Sequence, residues 1–308
     1  MAAKRLLDLP KDEQLNFFNS FDTVLCDVDG VLWLLIGQII ERSPDGILAL
    51  RKLGKKFYFI TNNSLTPMDL YLQKMKDFEI AKEEVIRPVV ALTWYLKQLN
   101  FDQEIYVAGS TTIKKELSDA GFKVAYDEVS PVCEGNVPNL LKLLSDLRPN
   151  VKAVYIDFRF NIDFMILQKC IAYIMKNQAL FIVGMLDPVV LFSEFHLIGA
   201  KKFAKIIEEI TGVEPKLMSK GGKEFAQVLK DNLGPFDAKR TLFIGDSCVT
   251  DMPFATENGF QKLMPLTGLT REEDLKNWKF DERIKPDYVV DNVGDLSTII
   301  ANLDLNKL

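Results

Sequence analysis

Four short apolar runs in this sequence end in residues able to do chemistry. Asp27 and Asp29 follow the run 23–26, Thr61 and Asn62 follow 57–60, Lys220 follows 216–218, and Asp246 follows 242–244. In an open parallel sheet the carboxyl ends of the strands line one crevice, so residues distant in sequence gather there. Three carboxylates and one lysine are therefore expected to share a pocket. Two carboxylates two residues apart can approach one metal and one substrate, and Gly30 permits the sharp bend that keeps both near the crevice. A hard divalent cation is the natural companion of such a group. Taken alone, Asp27-Val28-Asp29-Gly30 also reads as a plain turn, and only the other strand ends favour the chemical reading.

The elements that must position these residues follow from the pattern of the chain. Runs rich in Val, Ile, Phe and Leu each precede a polar or glycine cluster and then an amphipathic helical pattern, the signature of parallel βαβ units. The expected strands are 23–26, 57–60, 242–244 and 288–290, with a weaker one at 216–218. Ser43 and Pro44 open a helix that turns Ile47, Leu48, Leu50 and Leu53 inward, and Gly54 closes it. Thr66 and Pro67 open a second helix carrying Leu72, Met75 and Phe78, and a third runs from Thr250 to Gly259. The middle of the chain has its own strands, at 105–108, 153–156 and 180–183, and its own helices. The expected fold is α/β: a Rossmann-like, doubly wound parallel-sheet core formed by residues 1–100 and 216–308, with an inserted α/β cap domain at 101–215.

Composition narrows the function. The chain has 308 residues, 48% of them hydrophobic and 26% charged, enough to bury one large core or two moderate ones. With 38 basic against 43 acidic residues and a net charge of −5, no electrostatic attraction to nucleic acid or anionic lipid is expected. The apolar stretch 31–40 is about half the ~20 residues that a membrane span requires. The first residues contain no long apolar segment for export, so a cytoplasmic protein is expected. Cys26, Cys133, Cys170 and Cys248 lack metal-site spacing and are read as reduced thiols. His196 is the only histidine, which leaves the chemistry to carboxylates, lysine and hydroxyls.

In order along the chain, Asp27-Val28-Asp29-Gly30-Val31-Leu32, Ile60-Thr61-Asn62-Asn63-Ser64, Lys220 and Gly245-Asp246-Ser247-Cys248-Val249-Thr250-Asp251 resemble the four motifs of the haloacid dehalogenase (HAD) superfamily. The large insertion between the second and third motifs resembles the C2-capped branch, which includes chronophin (pyridoxal phosphatase), phosphoglycolate phosphatase and 4-nitrophenylphosphatase-like proteins. The resemblance spans nearly the whole chain.

It implies a Mg2+-dependent phosphatase of small phosphorylated metabolites that works through an aspartyl-phosphate. Asp27 would be the nucleophile and Asp29 the general acid and base. Magnesium would be held by Asp27, the backbone carbonyl of Asp29, and Asp246, with Asp251 as an auxiliary ligand or orienting residue. Lys220, Thr61, Asn62 and Asn63 would meet the phosphoryl oxygens, with Lys223 as the alternative to Lys220. Related proteins pair through their caps, so a homodimer is expected. The sequence also departs from the family. Ser219-Lys220-Gly221-Gly222 stands for Gly-Lys-Pro, and Gly184-Met185-Leu186-Asp187-Pro188 stands for a more polar cap stretch. The apolar runs 32–36 and 189–192 replace more polar segments and are expected to pack in the core or against the cap; His196 is expected to be structural. Because the cap selects the substrate, the alternative reading is a catalytically weak protein of the same fold that binds a phosphorylated ligand or regulates.

Overall fold

The computed structural model describes residues 3–34, 37–125, 135–192, 195–234 and 236–304. Cys133, Leu35 and Ile36 lie outside the described residues. The chain divides into two compact units: Met1–Thr61 with Met68–Ile86 and Lys230–Leu308, and Asn62–Pro67 with Arg87–Leu229. No helix among the described residues is long and apolar enough to cross a membrane.

In chain order the strands are β1 (Lys4–Arg5), β2 (Thr23–Cys26), β3 (Lys56–Ile60), β4 (Val85–Ile86), β5 (Glu104–Ala108), β6 (Lys123–Ala125), β7 (Val151–Ile156), β8 (Leu180–Val183), β9 (Val189–Phe192), β10 (Phe195–Ile198), β11 (Lys216–Leu217), β12 (Thr241–Ile244), β13 (Gln261–Pro265) and β14 (Tyr288–Val290). The first unit holds a seven-stranded sheet in the order β1-β14-β13-β12-β2-β3-β4, and every pairing in it is parallel. From β2 the chain winds outward through β3 to β4. From β12 it winds the other way through β13 to β14. The order therefore reverses between β2 and β12, and the carboxyl ends of adjacent strands at such a reversal frame the binding crevice of a doubly wound sheet. All residues of β2 and β12 are buried, as expected of strands covered on both faces.

The helices of this unit form where the sequence signals them. Helix Ser43–Lys52 has Pro44 in its first turn, buries Ile47 and Leu50, and ends before Gly54, whose φ of +74° suits glycine. It packs against helix Asp295–Ala301. The expected second helix is an α-helix only over Met68–Lys74 and tightens into a 3-10 turn at Met75–Phe78, burying Met75 and packing Tyr71 and Phe78 against Trp33. Val31, Leu32 and Trp33 are themselves core residues, whereas Leu34 is exposed.

The second unit is built on a five-stranded parallel sheet in the order β11-β8-β7-β5-β6 and an antiparallel β9–β10 hairpin. Strand β11 was expected beside the other three polar strand ends; it pairs instead with β8. A strand of two residues carries no side-chain alternation that could state which sheet it joins. Helix Phe164–Asn177 supplies Ile166, Cys170, Tyr173 and Ile174 to this unit's core, and helix Ala200–Thr211 supplies Ala204 and Ile207. Arg87 is fully buried just before helix Pro88–Gln98. Its guanidinium binds both carboxylate oxygens of Glu116 and the carbonyl of Thr66, so the buried charge is paired and hydrogen-bonded.

Leu25 is fully buried on β2, in register with Phe243 on β12 and Tyr58 on β3. Leu25→Ala is expected to lower unfolding free energy by about 2–5 kcal/mol, because a void in a central strand closes only partly. Denaturant titration of the variant against the parent chain measures this.

Candidate active site

Asp27 is the first residue after β2, and its N–H donates to the carbonyl of Ile244 at the end of β12 (2.8 Å). The strand ends thus bring Asp27 close to Asp246, two residues beyond β12. The chain then turns tightly. The carbonyl of Val28 accepts from the N–H groups of Val31 and Leu32, the N–H of Gly30 donates to the carbonyl of Trp33 (2.7 Å), and Gly30 has φ +90°. A Cβ on Gly30 would lie 2.6 Å from Asp246 Oδ2, so both the conformation and the close approach require glycine.

Asp27, Asp246 and Asp251 form one group: each offers a carboxylate oxygen within 4.8 Å of the others, and all three are buried. Asp251 opens helix Asp251–Glu257, and its Oδ2 accepts from the N–H of Ser247 (3.1 Å). Three buried carboxylates at this spacing repel one another unless a cation or protons intervene. Oxygen donors on short side chains suit a small hard divalent cation, so the residues present fit such an ion. Asp29 lies outside this carboxylate group and is half-buried. Its Oδ1 accepts from Trp33 Nε1 (3.0 Å) and its Oδ2 from Thr61 Oγ1 (3.1 Å). Two donors from different elements fix the orientation of its carboxylate.

A segment that the sequence reading passed over braces this group. After β13, Thr267 Oγ1 donates to the carbonyl of Gly30 (2.6 Å), Leu269 N–H to Asp246 Oδ2 (2.6 Å), and Cys248 N–H to Thr270 Oγ1 (3.0 Å). A Cβ on Gly268 would fall 1.8 Å from Asp246 Oδ2. The available signal was a fifth run ending in polar residues, Thr267-Gly268-Leu269-Thr270, obscured by the lysine at the start of β13.

In the second unit, Asn62 Nδ2 donates to Asp187 Oδ2 (3.2 Å), and Asn62 Oδ1 accepts from the N–H of Lys220 (3.4 Å). Asn63 Oδ1 accepts from the N–H groups of Leu65 and Thr66, closing a turn on itself. Lys220 is buried, whereas Lys223 is exposed at the start of helix Lys223–Asn232. His196 is exposed on β10. Cys26 and Cys248, which flank the acidic residues, are both buried, and burial pushes the Cys248 thiol up.

A family model described as haloacid dehalogenase-like hydrolase matches residues 24–123, and one described as HAD-hydrolase-like matches 219–296. The chain is 29% identical over 310 residues to a 4-nitrophenylphosphatase of Schizosaccharomyces pombe, covering 96% of this chain and 99% of that one. It is 28% identical to a glycerol-3-phosphate phosphatase of Rattus norvegicus, covering 89% of each. Among solved structures, the p-nitrophenyl phosphatase from Archaeoglobus fulgidus superposes with a TM-score of 0.75 at 21% identity, over 91% of this chain and 99% of that one. This last likeness is one of fold.

Gly268→Ala is expected to displace the Asp246 carboxylate and weaken divalent-cation binding about tenfold or more, as loss of support around metal ligands commonly does. Calorimetric titration with a divalent cation measures this. Affinity equal to that of the parent would show that Asp246 is not a ligand.

Proposed function

Since the chain belongs to the haloacid dehalogenase-like hydrolases and is a phosphoric monoester hydrolase, we propose that it is a Mg2+-dependent phosphatase of small phosphomonoesters acting through an aspartyl-phosphate on Asp27. The observation that carries this reading is the buried group of Asp27, Asp246 and Asp251 at the reversal point of the larger sheet.

Asp27, Asp246, Asp251 and the backbone carbonyl of Asp29 would hold the magnesium. When bound, the cation offsets the repulsion between carboxylate and phosphate dianion. An oxygen of Asp27 bonds to phosphorus as the bond from phosphorus to the ester oxygen breaks. Asp29, oriented by Trp33 and Thr61, gives that departing oxygen its proton. It then takes a proton from the water that attacks the acyl phosphate, which releases inorganic phosphate and restores Asp27. We assign Thr61, Asn62, Asn63 and Lys220 to the phosphoryl oxygens, where hydrogen bonds and positive charge matter most in the transition state. The burial of Lys220 supports its place in that set ahead of Lys223.

The proposed substrates are of the phosphoglycolate, pyridoxal phosphate or aryl phosphate type, and the names of the relatives support small phosphomonoesters as a class. Residues 101–215 are proposed as the cap, and residues 1–100 with 216–308 as the catalytic core. A cytoplasmic location is proposed, in keeping with the reading of the cysteines as reduced thiols. With magnesium present, the chain is expected to release phosphate from an aryl phosphate and from members of a metabolite panel. Asp27→Asn at equal folded concentration is expected to lose at least about a thousandfold in kcat, since its amide is a poor nucleophile. Phosphate binding without turnover in the parent would overturn this reading.

A homodimer is proposed through the β9–β10 hairpin, where Val189, Phe195 and Ile198 are exposed. Val189 and Ile198 pair across one face of the hairpin and Phe195 lies on the other, so both faces offer exposed apolar side chains that favour association of two copies. Sedimentation is expected to give twice the 35.0 kDa chain mass. Phe195→Asp with Ile198→Asp is expected to give the monomer; a monomeric parent at working concentration would refute the pairing.

A further inference from the structure

The carboxyl edge of the five-stranded sheet holds a buried carboxylate that the proposed reaction does not use. Side chains two residues apart on a strand share a face, which brings Tyr155 on β7 and Asp157 just beyond it together. Both are fully buried. Asp157 Oδ2 accepts from Tyr155 OH, and Oδ1 accepts from Ser64 Oγ and from the N–H of Phe158 (2.6 Å). The N–H of Met185, just past β8, also hydrogen-bonds the carboxylate. Burial pushes this carboxyl above its usual range, against the pull of these four donors. A Cβ on Gly184 would lie 2.0 Å from Asp157 Oδ2 and 2.1 Å from Tyr155 OH, so the sheet leaves room for the pair only because residue 184 is glycine.

Ser64 is the link to the site. It is fully buried and directly follows Asn62 and Asn63. The turn it belongs to is held at three points: by Asn63 Oδ1 on the N–H groups of Leu65 and Thr66, by Ser64 on Asp157, and by the carbonyl of Thr66 on Arg87. From this anchored turn the Asn62 amide reaches Asp187 and the N–H of Lys220. We infer that Asp157 is a positioning residue for phosphate binding: through Ser64 it fixes the turn that sets Asn62, and through Asn62 the placement of Asp187 and of the backbone at Lys220. This rests on the phosphatase reading above. Asp157 touches none of the reacting atoms in that scheme. Its effect passes through Ser64, whereas the bond from Tyr155 serves the carboxylate without passing through the turn.

That difference separates positioning from plain core stability. The parent, Ser64→Ala, Asp157→Asn, the double variant and Tyr155→Phe are compared by hydrolysis of an aryl phosphate with magnesium, competitive inhibition by inorganic phosphate, and thermal melting. Ser64→Ala and Asp157→Asn are each expected to raise KM and the phosphate inhibition constant about tenfold, the scale of one hydrogen bond to a charged group. The double variant is expected to be no worse than the worse single one, because both break the same link. Tyr155→Phe is expected to lower the melting temperature while leaving both constants within about twofold, since it removes a comparable hydrogen bond away from the turn. If Asp157→Asn does not fold, Ser64→Ala against Tyr155→Phe decides. Unchanged constants in folded Ser64→Ala, or equal shifts in Tyr155→Phe, overturn the positioning role and leave the phosphatase reading standing. A parent without turnover overturns both.

Discussion

Three buried carboxylates within reach of one another are the constraint on which the larger unit depends. At 4.8 Å two unit charges repel by about 3.5 kcal/mol per pair at an effective dielectric constant of about 20. A domain whose net stability is only about 5–15 kcal/mol must hold such a group in place by other means. Parallel pairing of β2 and β12 ties the backbone at Asp27 to Ile244, and the N–H groups of Leu269 and Ser247 donate to Asp246 and Asp251. Each donor lowers the cost of the negative charge it faces. A divalent cation bound there would turn the same repulsion into attraction and would link its own binding to the folding of this unit.

Close approach is the second half of that constraint. Gly30 and Gly268 stand where any side chain would occupy the space of the Asp246 carboxylate. The tight turn after Asp27 and the segment after β13 are therefore packed directly on the acidic group, with Thr267 locking one to the other through the carbonyl of Gly30. The position of Asp29 follows from the same turn. Trp33, which supplies one of its donors, is pinned in the core by Tyr71 and Phe78, so apolar packing sets the orientation of the proposed proton carrier.

Much of this was legible in the residues. β2, β3, β12 and β14 stood out because strands buried on both faces read as unbroken apolar runs, and the polar residues that end the first three pointed to a candidate site. β13 was missed because Lys262 interrupts its apolar pattern; the structure buries that lysine and satisfies its Nζ on the carbonyl of Arg283 and the hydroxyl of Thr256. The two-residue strands β1, β4 and β11 are too short to carry a period, and β11 joined the smaller sheet for reasons of tertiary pairing alone. At the candidate site the strand-end pattern pointed to Asp27, Asp29 and Asp246, whereas the buried carboxylate group contains Asp251 in place of Asp29, because Asp251 opens a helix and lies at no strand end. The support from Leu269 was invisible because it comes through a backbone N–H that any residue possesses. The Asp157 link was hidden for another reason: Ser64 and Asp157 are 93 residues apart, and neither sits in a repeating pattern that points to the other.

The smaller unit bears on how the stretch Gly184-Met185-Leu186-Asp187-Pro188 should be understood. Met185 is buried and Leu186 packs partly against the core formed by β5, β7, β8 and their helices. These side chains work as packing. Gly184 is fixed by the buried Asp157 and Tyr155 pair, and Asp187 is held by Asn62. The apolar members of the stretch thus enter the core of the smaller unit, while its polar member hydrogen-bonds Asn62. The apolar character of Met185 and Leu186 is therefore accounted for by packing and is compatible with the hydrolase chemistry of the chain.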